Sequence, residues 1–162
     1  MGQVTERIRA YDREISTLAT TRYPATRLLT QVQGVGDLTA LAYLLTIDNP
    51  HRFRKSRTVG AYLGLRSRRT DSGEQKPELP ITKAGDALVR RLLVGSAQYT
   101  LGPFAHDSDL RRWGLGKAQG GKAARRRAVV GVARRLGVLL HRLWVTGEVY
   151  EPLRNSPAKE SA

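Results

Sequence analysis

Three stretches of this 162-residue sequence place side chains where they suit chemistry on a polyanion. The first is Gln33-Gly34-Val35-Gly36-Asp37-Leu38-Thr39-Ala40, a Gly-apolar-Gly turn between two apolar segments. Glycine accepts positive φ and lets backbone come close to a phosphate. A helix that starts just after it presents unpaired N–H groups and the positive end of its dipole. Through Gly34, Val35 and Gly36 such a turn holds a phosphate backbone in place without reading bases. A plain turn between two helices needs the same glycines for geometry alone.

The second stretch is a concentration of cations. From Arg111 to Arg142 there are ten Lys or Arg and no Asp or Glu. Arg125, Arg126 and Arg127 are consecutive, with Arg134, Arg135 and Arg142 following, which widens the polar side of an amphipathic helix into a basic stripe. A face that is merely solvated mixes both signs, so contact with nucleic acid is the better reading. Residues 52–69 add seven more basic residues, among them Arg66, Arg68 and Arg69, interleaved with Phe53 and Tyr62. Lys83 and Arg90 continue the pattern. The third stretch is Asp71-Ser72-Gly73. A serine in so basic a setting can attack a phosphodiester, with Arg and Lys stabilising the charge that develops. The same three residues also make a common turn.

Composition narrows the choice. Lys and Arg number 28 against 14 Asp and Glu, a net charge of +14 and a sequence pI near 11.0. That bias points to a polyanionic partner and says nothing of fold. With no Cys there is no disulfide, thiol catalysis or zinc finger. No run of 18 apolar residues exists to span a bilayer. The start MGQVTERIRAYDREIS lacks the apolar core of a secretory signal, and Glu6 stands where a myristoylation site wants Ser or Thr. The expectation is a cytoplasmic, nucleoid-associated protein with no membrane partner. His51, His106 and His141 offer bases for a serine triad, but nothing in their context recommends one. No paired carboxylates have metal-ligand spacing.

The elements that must position these residues read as helices. Leu and Ala total 38 against 16 for Val and Ile, so the fold class is all-α. Val4, Ile8, Tyr11, Ile15 and Leu18 form a heptad seam over residues 3–20. That helix either packs on the chain's own core or is the stub of a longer coiled coil. A short helix should end at Gly34, and another should run from Asp37 to Ile47. Residues 50–65 read as a basic loop and a short helix ending at Gly64, and residues 66–82 as a loop. Thr82 should cap a helix from Lys83 to Tyr99 with Leu88, Leu92 and Leu93 inward. A glycine-rich loop follows, then a helix from Lys122 to Val145 with Ala124, Ala128, Val132, Leu139 and Leu143 on one face. The division is 1–27 (heptad helix and linker), 28–150 (helical domain) and 151–162 (tail, free after Pro152).

The glycine turn resembles the hairpin of helix-hairpin-helix DNA-binding modules, and a longer ordered set carries a second resemblance. Gly34-Val35-Gly36 with Thr39-Ala40, Phe53, Ala61-Tyr62-Leu63-Gly64-Leu65, Ser72-Gly73, Ile81-Thr82-Lys83-Ala84-Gly85-Asp86, Arg90-Arg91-Leu92-Leu93, residues 128–136 and residues 146–150 follow one order. Together they resemble the C-terminal domain of insertion-sequence one-ten-type transposases, the bridge-RNA-guided serine recombinases, over about residues 31–150. That resemblance implies Ser72 as the nucleophile of a composite site shared between protomers, DNA and a guide RNA as partners, and a homo-oligomer. It also implies an N-terminal RuvC-like domain whose acidic ligands hold Mg2+, joined by a coiled coil. Asp86 stands where the pattern usually has Asn, a departure that bears on local hydrogen bonding or phosphate affinity. With no such domain ahead of Met1, the expectation is a chain that has no metal of its own, binds DNA and does not transpose by itself. The candidate contacts are Gly34, Val35, Gly36, Arg66, Arg68, Arg69, Lys83, Arg90, Arg125, Arg126, Arg127 and Arg134. The rival readings are a stand-alone helix-hairpin-helix binding module and a truncated regulator that forms mixed oligomers with full-length transposase.

Overall fold

The computed structural model describes residues 2–68 and 80–156. Within them the chain is all-helical: α1 (Gly2–Arg22), α2 (Thr26–Thr30), α3 (Asp37–Ile47), α4 (Val59–Tyr62), α5 (Ala87–Thr100), α6 (Asp109–Lys117) and α7 (Lys122–Thr146). Two 3-10 turns, Pro50–Arg52 and Ser56–Thr58, link α3 to α4. Among the described residues the extended pairing is a single antiparallel bridge, Ser67 to Ile81.

Helix α7 is the spine. Its Ala128, Val132, Leu136, Leu140 and Leu143 are buried against Val89, Leu93 and Ala97 of α5, Tyr43, Leu44 and Ile47 of α3, and Leu63. Those α7 positions step by four, four, four and three residues, the spacing of one helix face. Each of the Val, Leu and Ile side chains contributes roughly 1.5–3 kcal/mol on burial. The Tyr43 hydroxyl donates to the Gly137 carbonyl at 2.6 Å, which ties α3 to the middle of α7. Burial pushes that phenol far above its ordinary pKa.

The structure corrects several expectations. Helix α5 begins at Ala87, not Lys83, and Thr82 does not cap it. Asp86 does, its carboxylate accepting from the Val89 N–H at 2.9 Å. Lys83 has φ 54, which no right-handed helix admits. Leu88 is 46% exposed, because the inner face of α5 is Val89, Leu93 and Ala97. On α7, Leu139 is only partly buried and Leu136 takes the inner place. The glycine-rich stretch after Pro103 contains α6, capped by the Ser108 hydroxyl, which accepts from the Arg111 N–H at 3.0 Å. Gly114 hides that helix in the sequence, yet it lets α6 close on the core. A Cβ there would sit 2.5 Å from Val132 and 2.6 Å from Leu101.

The tail is not free at Pro152. The Asp109 N–H donates to the Pro152 carbonyl at 2.7 Å, and the Asn155 N–H donates to the Asp109 carboxylate at 2.8 Å. At the other end, α1 packs on α3 and α2 through its last turns, where Ala19 is buried. Its first turns present Val4, Ile8 and Tyr11 to solvent at 65%, 55% and 58% exposure.

Candidate nucleic-acid interface

The glycine turn is held from both sides by glutamines. Gln33 accepts from the His106 N–H at 2.6 Å, and Gln31 accepts from the Tyr150 N–H at 2.9 Å. Gly34 has φ +91, and a Cβ on it would meet the Tyr99 ring at 2.9 Å. Val35, named above as a contact, is a core residue, and its N–H donates to the Val32 carbonyl at 3.0 Å. Gly36 alone faces open space, at the start of α3, where no side chain caps the helix. Asp37 sits in that first turn and already meets the positive end of the dipole. The turn is therefore a weaker anion site than its glycines suggest.

A tighter arrangement surrounds Arg66, Arg68 and Lys83. The Thr82 N–H donates to the Arg66 carbonyl at 3.0 Å, Arg68 N–H to Pro80 at 3.0 Å, and Lys83 N–H to Gly64 at 3.1 Å. Gly64 and Gly85 both take positive φ, 72° and 83°. A Cβ on Gly64 would run into the Ala84 carbonyl, and one on Gly85 into the Tyr62 carbonyl. This backbone crossing explains why glycines recur at these two places, a reason that spacing alone does not disclose. Arg66, Arg68 and Lys83 are exposed beside it. Arg90 is half-buried, and its guanidinium donates to the Ala84 carbonyl at 3.2 Å, so it braces the crossing. Ser72 and Arg69 lie outside the described residues.

The cations sort into engaged and unengaged groups. Arg112 pairs with Asp107 at 2.6 Å, Arg142 with Glu148 at 2.9 Å, and Arg154 with Glu148 at 3.2 Å. Arg111 donates to the Thr100 carbonyl at 2.7 Å. Arg135 lies 3.9 Å above the Trp113 ring, and burial pulls its pKa down. Arg52 stands near the Phe53 and Tyr62 rings, 5.5 and 5.3 Å from their centres. Arg127 also has a partner. By contrast Arg54, Lys55, Arg57, Arg66, Arg68, Lys83, Arg125 and Arg126 are exposed, with no side-chain hydrogen bond or ion pair among the described residues. Arg134 is exposed with its stem against Gly60, where a Cβ would come within 2.8 Å of it. Sequence reasoning overlooked Lys122 and Gln98, which share a groove with Arg125 and Arg126.

The basic turns between α3 and α4 are fastened to α7. The His141 ring reaches Ser56 at 2.8 Å and the Pro50 carbonyl at 2.7 Å. Arg54, Lys55 and Arg57 are thus displayed next to the C-terminal half of α7. Among the described residues no group of three His, Asp or Glu converges to hold a metal ion. No described helix is long and apolar enough to cross a membrane.

Residues 26–111, from the start of α2 into α6, match the Transposase IS116/IS110/IS902 family. The chain belongs to that family. The match takes in the glycine turn, the Gly64–Gly85 crossing and α5, and stops before α7. Among curated relatives, the transposase for insertion sequence element IS1111A of Coxiella burnetii is 30% identical over 145 residues, 90% of this chain and 39% of that protein. A probable family 20 transposase of Pseudomonas aeruginosa is 34% identical over 92 residues, 56% of this chain and 27% of that protein. The transposase for insertion sequence element IS1328 of Yersinia enterocolitica is 31% identical over 113 residues, 69% of this chain and 34% of that protein. This transposase-family chain therefore spans about two fifths or less of the length of these relatives.

Proposed function

We propose that this chain supplies the DNA-binding part of an insertion-sequence transposase and grips the phosphate backbone with its unengaged cations. The observation that carries the reading is the sorting of charges in a member of this family. Ten exposed Arg and Lys side chains around α4, the Gly64–Gly85 crossing and α7 lack a side-chain hydrogen bond or ion pair among the described residues. Other arginines are committed to carboxylates, carbonyls or rings. Phosphate contacts of this kind give affinity without base specificity. Gly36 acts in this reading as the phosphate-facing end of a helix-hairpin-helix element. Ser72 is the hydroxyl that attacks a DNA phosphodiester during recombination, forming a seryl phosphodiester as the P–O bond to one sugar oxygen breaks and that oxygen leaves as a hydroxyl, and a guide RNA is a second nucleic-acid partner.

The test is a comparison of two triple variants in a duplex-binding assay. Replacing Arg54, Arg57 and Arg134 by Gln removes three proposed phosphate contacts and lowers affinity by more than tenfold at moderate salt. Replacing the engaged Arg112, Arg142 and Arg154 by Gln changes affinity by less than about threefold. Equal losses in the two variants overturn the reading. For Ser72, Ser72→Ala in a chain that recombines should abolish recombination and leave DNA affinity unchanged.

A second reading rests on α1. Val4, Ile8 and Tyr11 keep heptad spacing and remain exposed, so α1 pairs with another helix, from a second copy or from a longer relative. Monomeric behaviour at high concentration, by sedimentation, counts against it.

A further inference from the structure

The surface between the end of α5 and the start of α7 holds a groove that the reading above does not use as a unit. Lys122, Arg125 and Arg126 form its walls with Gln98, and Leu101 and Val129 form its floor. Its volume is about 430 Å3, in the range of sites that take a molecule of nucleotide size (about 300–1,000 Å3), and too small to admit a double helix. No carboxylate lines it. Lys122, Arg125 and Arg126 are exposed and lack a hydrogen bond or ion pair among the described residues. The first turn of α7 carries no acidic residue and no side-chain cap, unlike the Asp37-bearing start of α3.

We infer that this groove binds an unpaired nucleic-acid strand, one nucleotide seated between α5 and α7 with its flanking phosphates on Lys122, Arg125 and Arg126. This rests on the nucleic-acid reading above and deepens it by naming the strandedness of the ligand at one site. Two features favour an unpaired strand over a duplex backbone. The apolar floor of Leu101 and Val129 gains nothing from a phosphate but is covered by a sugar or base. The Gln98 amide has one donor and one acceptor side, the pattern that pairs with an adenine edge. A positively charged groove that tracks the backbone is a recurring means of holding single strands.

The experiment measures fluorescence anisotropy of the full chain with labelled single strands of about 12 nucleotides, as DNA and as RNA of one sequence, and with the matching duplex. The expected result is tighter binding of a single strand than of the duplex, at least about fivefold. Lys122→Gln, Arg125→Gln and Arg126→Gln together should weaken single-strand binding about thirtyfold and lower its salt slope by about 2. The DNA and RNA arms identify which strand is the source. Single strands bound no tighter than duplex overturn the inference and leave the DNA-binding reading standing, as does a triple variant with wild-type single-strand affinity. No binding of either form by the wild-type chain overturns both.

Discussion

The Ser56 hydroxyl lies 2.8 Å from Nδ1 of His141, and the Pro50 carbonyl lies 2.7 Å from Nε2 of the same ring. A carbonyl only accepts, so Nε2 carries the hydrogen, and Nδ1 accepts from Ser56. His141 is buried, with both ring nitrogens satisfied. It fastens two 3-10 turns to α7 and fixes where Arg54, Lys55 and Arg57 are displayed.

His141→Ala should therefore cost about 2–3 kcal/mol, since it leaves two polar partners unsatisfied. Ser56→Ala, which removes one arm, should cost about 1 kcal/mol. Urea denaturation checks both. A His141→Ala chain as stable as the parent shows that the clamp is dispensable.

The Gly64–Gly85 crossing predicts a severe effect at a position that looks innocuous. Gly85→Ala should lose about 3 kcal/mol or more, through positive φ and collision with the Tyr62 carbonyl. Thermal unfolding measures it, and a loss below about 1 kcal/mol contradicts the close packing described.

At Gly36 stability and binding should part. Gly36→Asp adds a side chain able to cap α3 and gains a few tenths of a kcal/mol, about 0.3. The same carboxylate repels a phosphate at the open end of the hairpin, and duplex affinity should fall about fivefold. Stability and affinity rising together would show that no phosphate approaches there.

The C-terminal segment should loosen in acid. A hydrogen bond from Ser156, then one from the Asn155 N–H, holds the Asp109 carboxyl below the usual carboxylate range. A depressed carboxyl stabilises the fold above its unfolded pKa, and this is lost as pH falls through the folded value. The Asn155 amide resonance should therefore titrate with a midpoint below about 3.9, the ordinary Asp value. A midpoint above that value contradicts the contact.

Much of this was legible in the sequence, for identifiable reasons. The bounds of α3 and α7 follow from Gly36 and Pro50 on either side of α3, from Gly121 and Gly147 at the ends of α7, and from long apolar stripes between. Helix α6 was hidden because Gly114 and Gly116 read as loop, whereas Gly114 serves close packing on Val132 and Leu101. The start of α5 was misplaced because Thr82 is a good cap by type, yet the crossing with Gly64 forces Lys83 to positive φ. For the site, residue type located the cations but not their partners. Arg90, Arg127 and Arg134 look alike in the sequence. Only the fold shows Arg90 on a carbonyl, Arg127 partnered and Arg134 exposed over Gly60.

In the proposed function the unengaged cations grip the backbone of DNA. The most direct test is the affinity of the full chain for a duplex, measured at stepped salt concentrations. If about six phosphates are neutralised, log affinity should fall against log salt with a slope near −5. An affinity that does not change with salt, or no measurable binding at low salt, contradicts the claim.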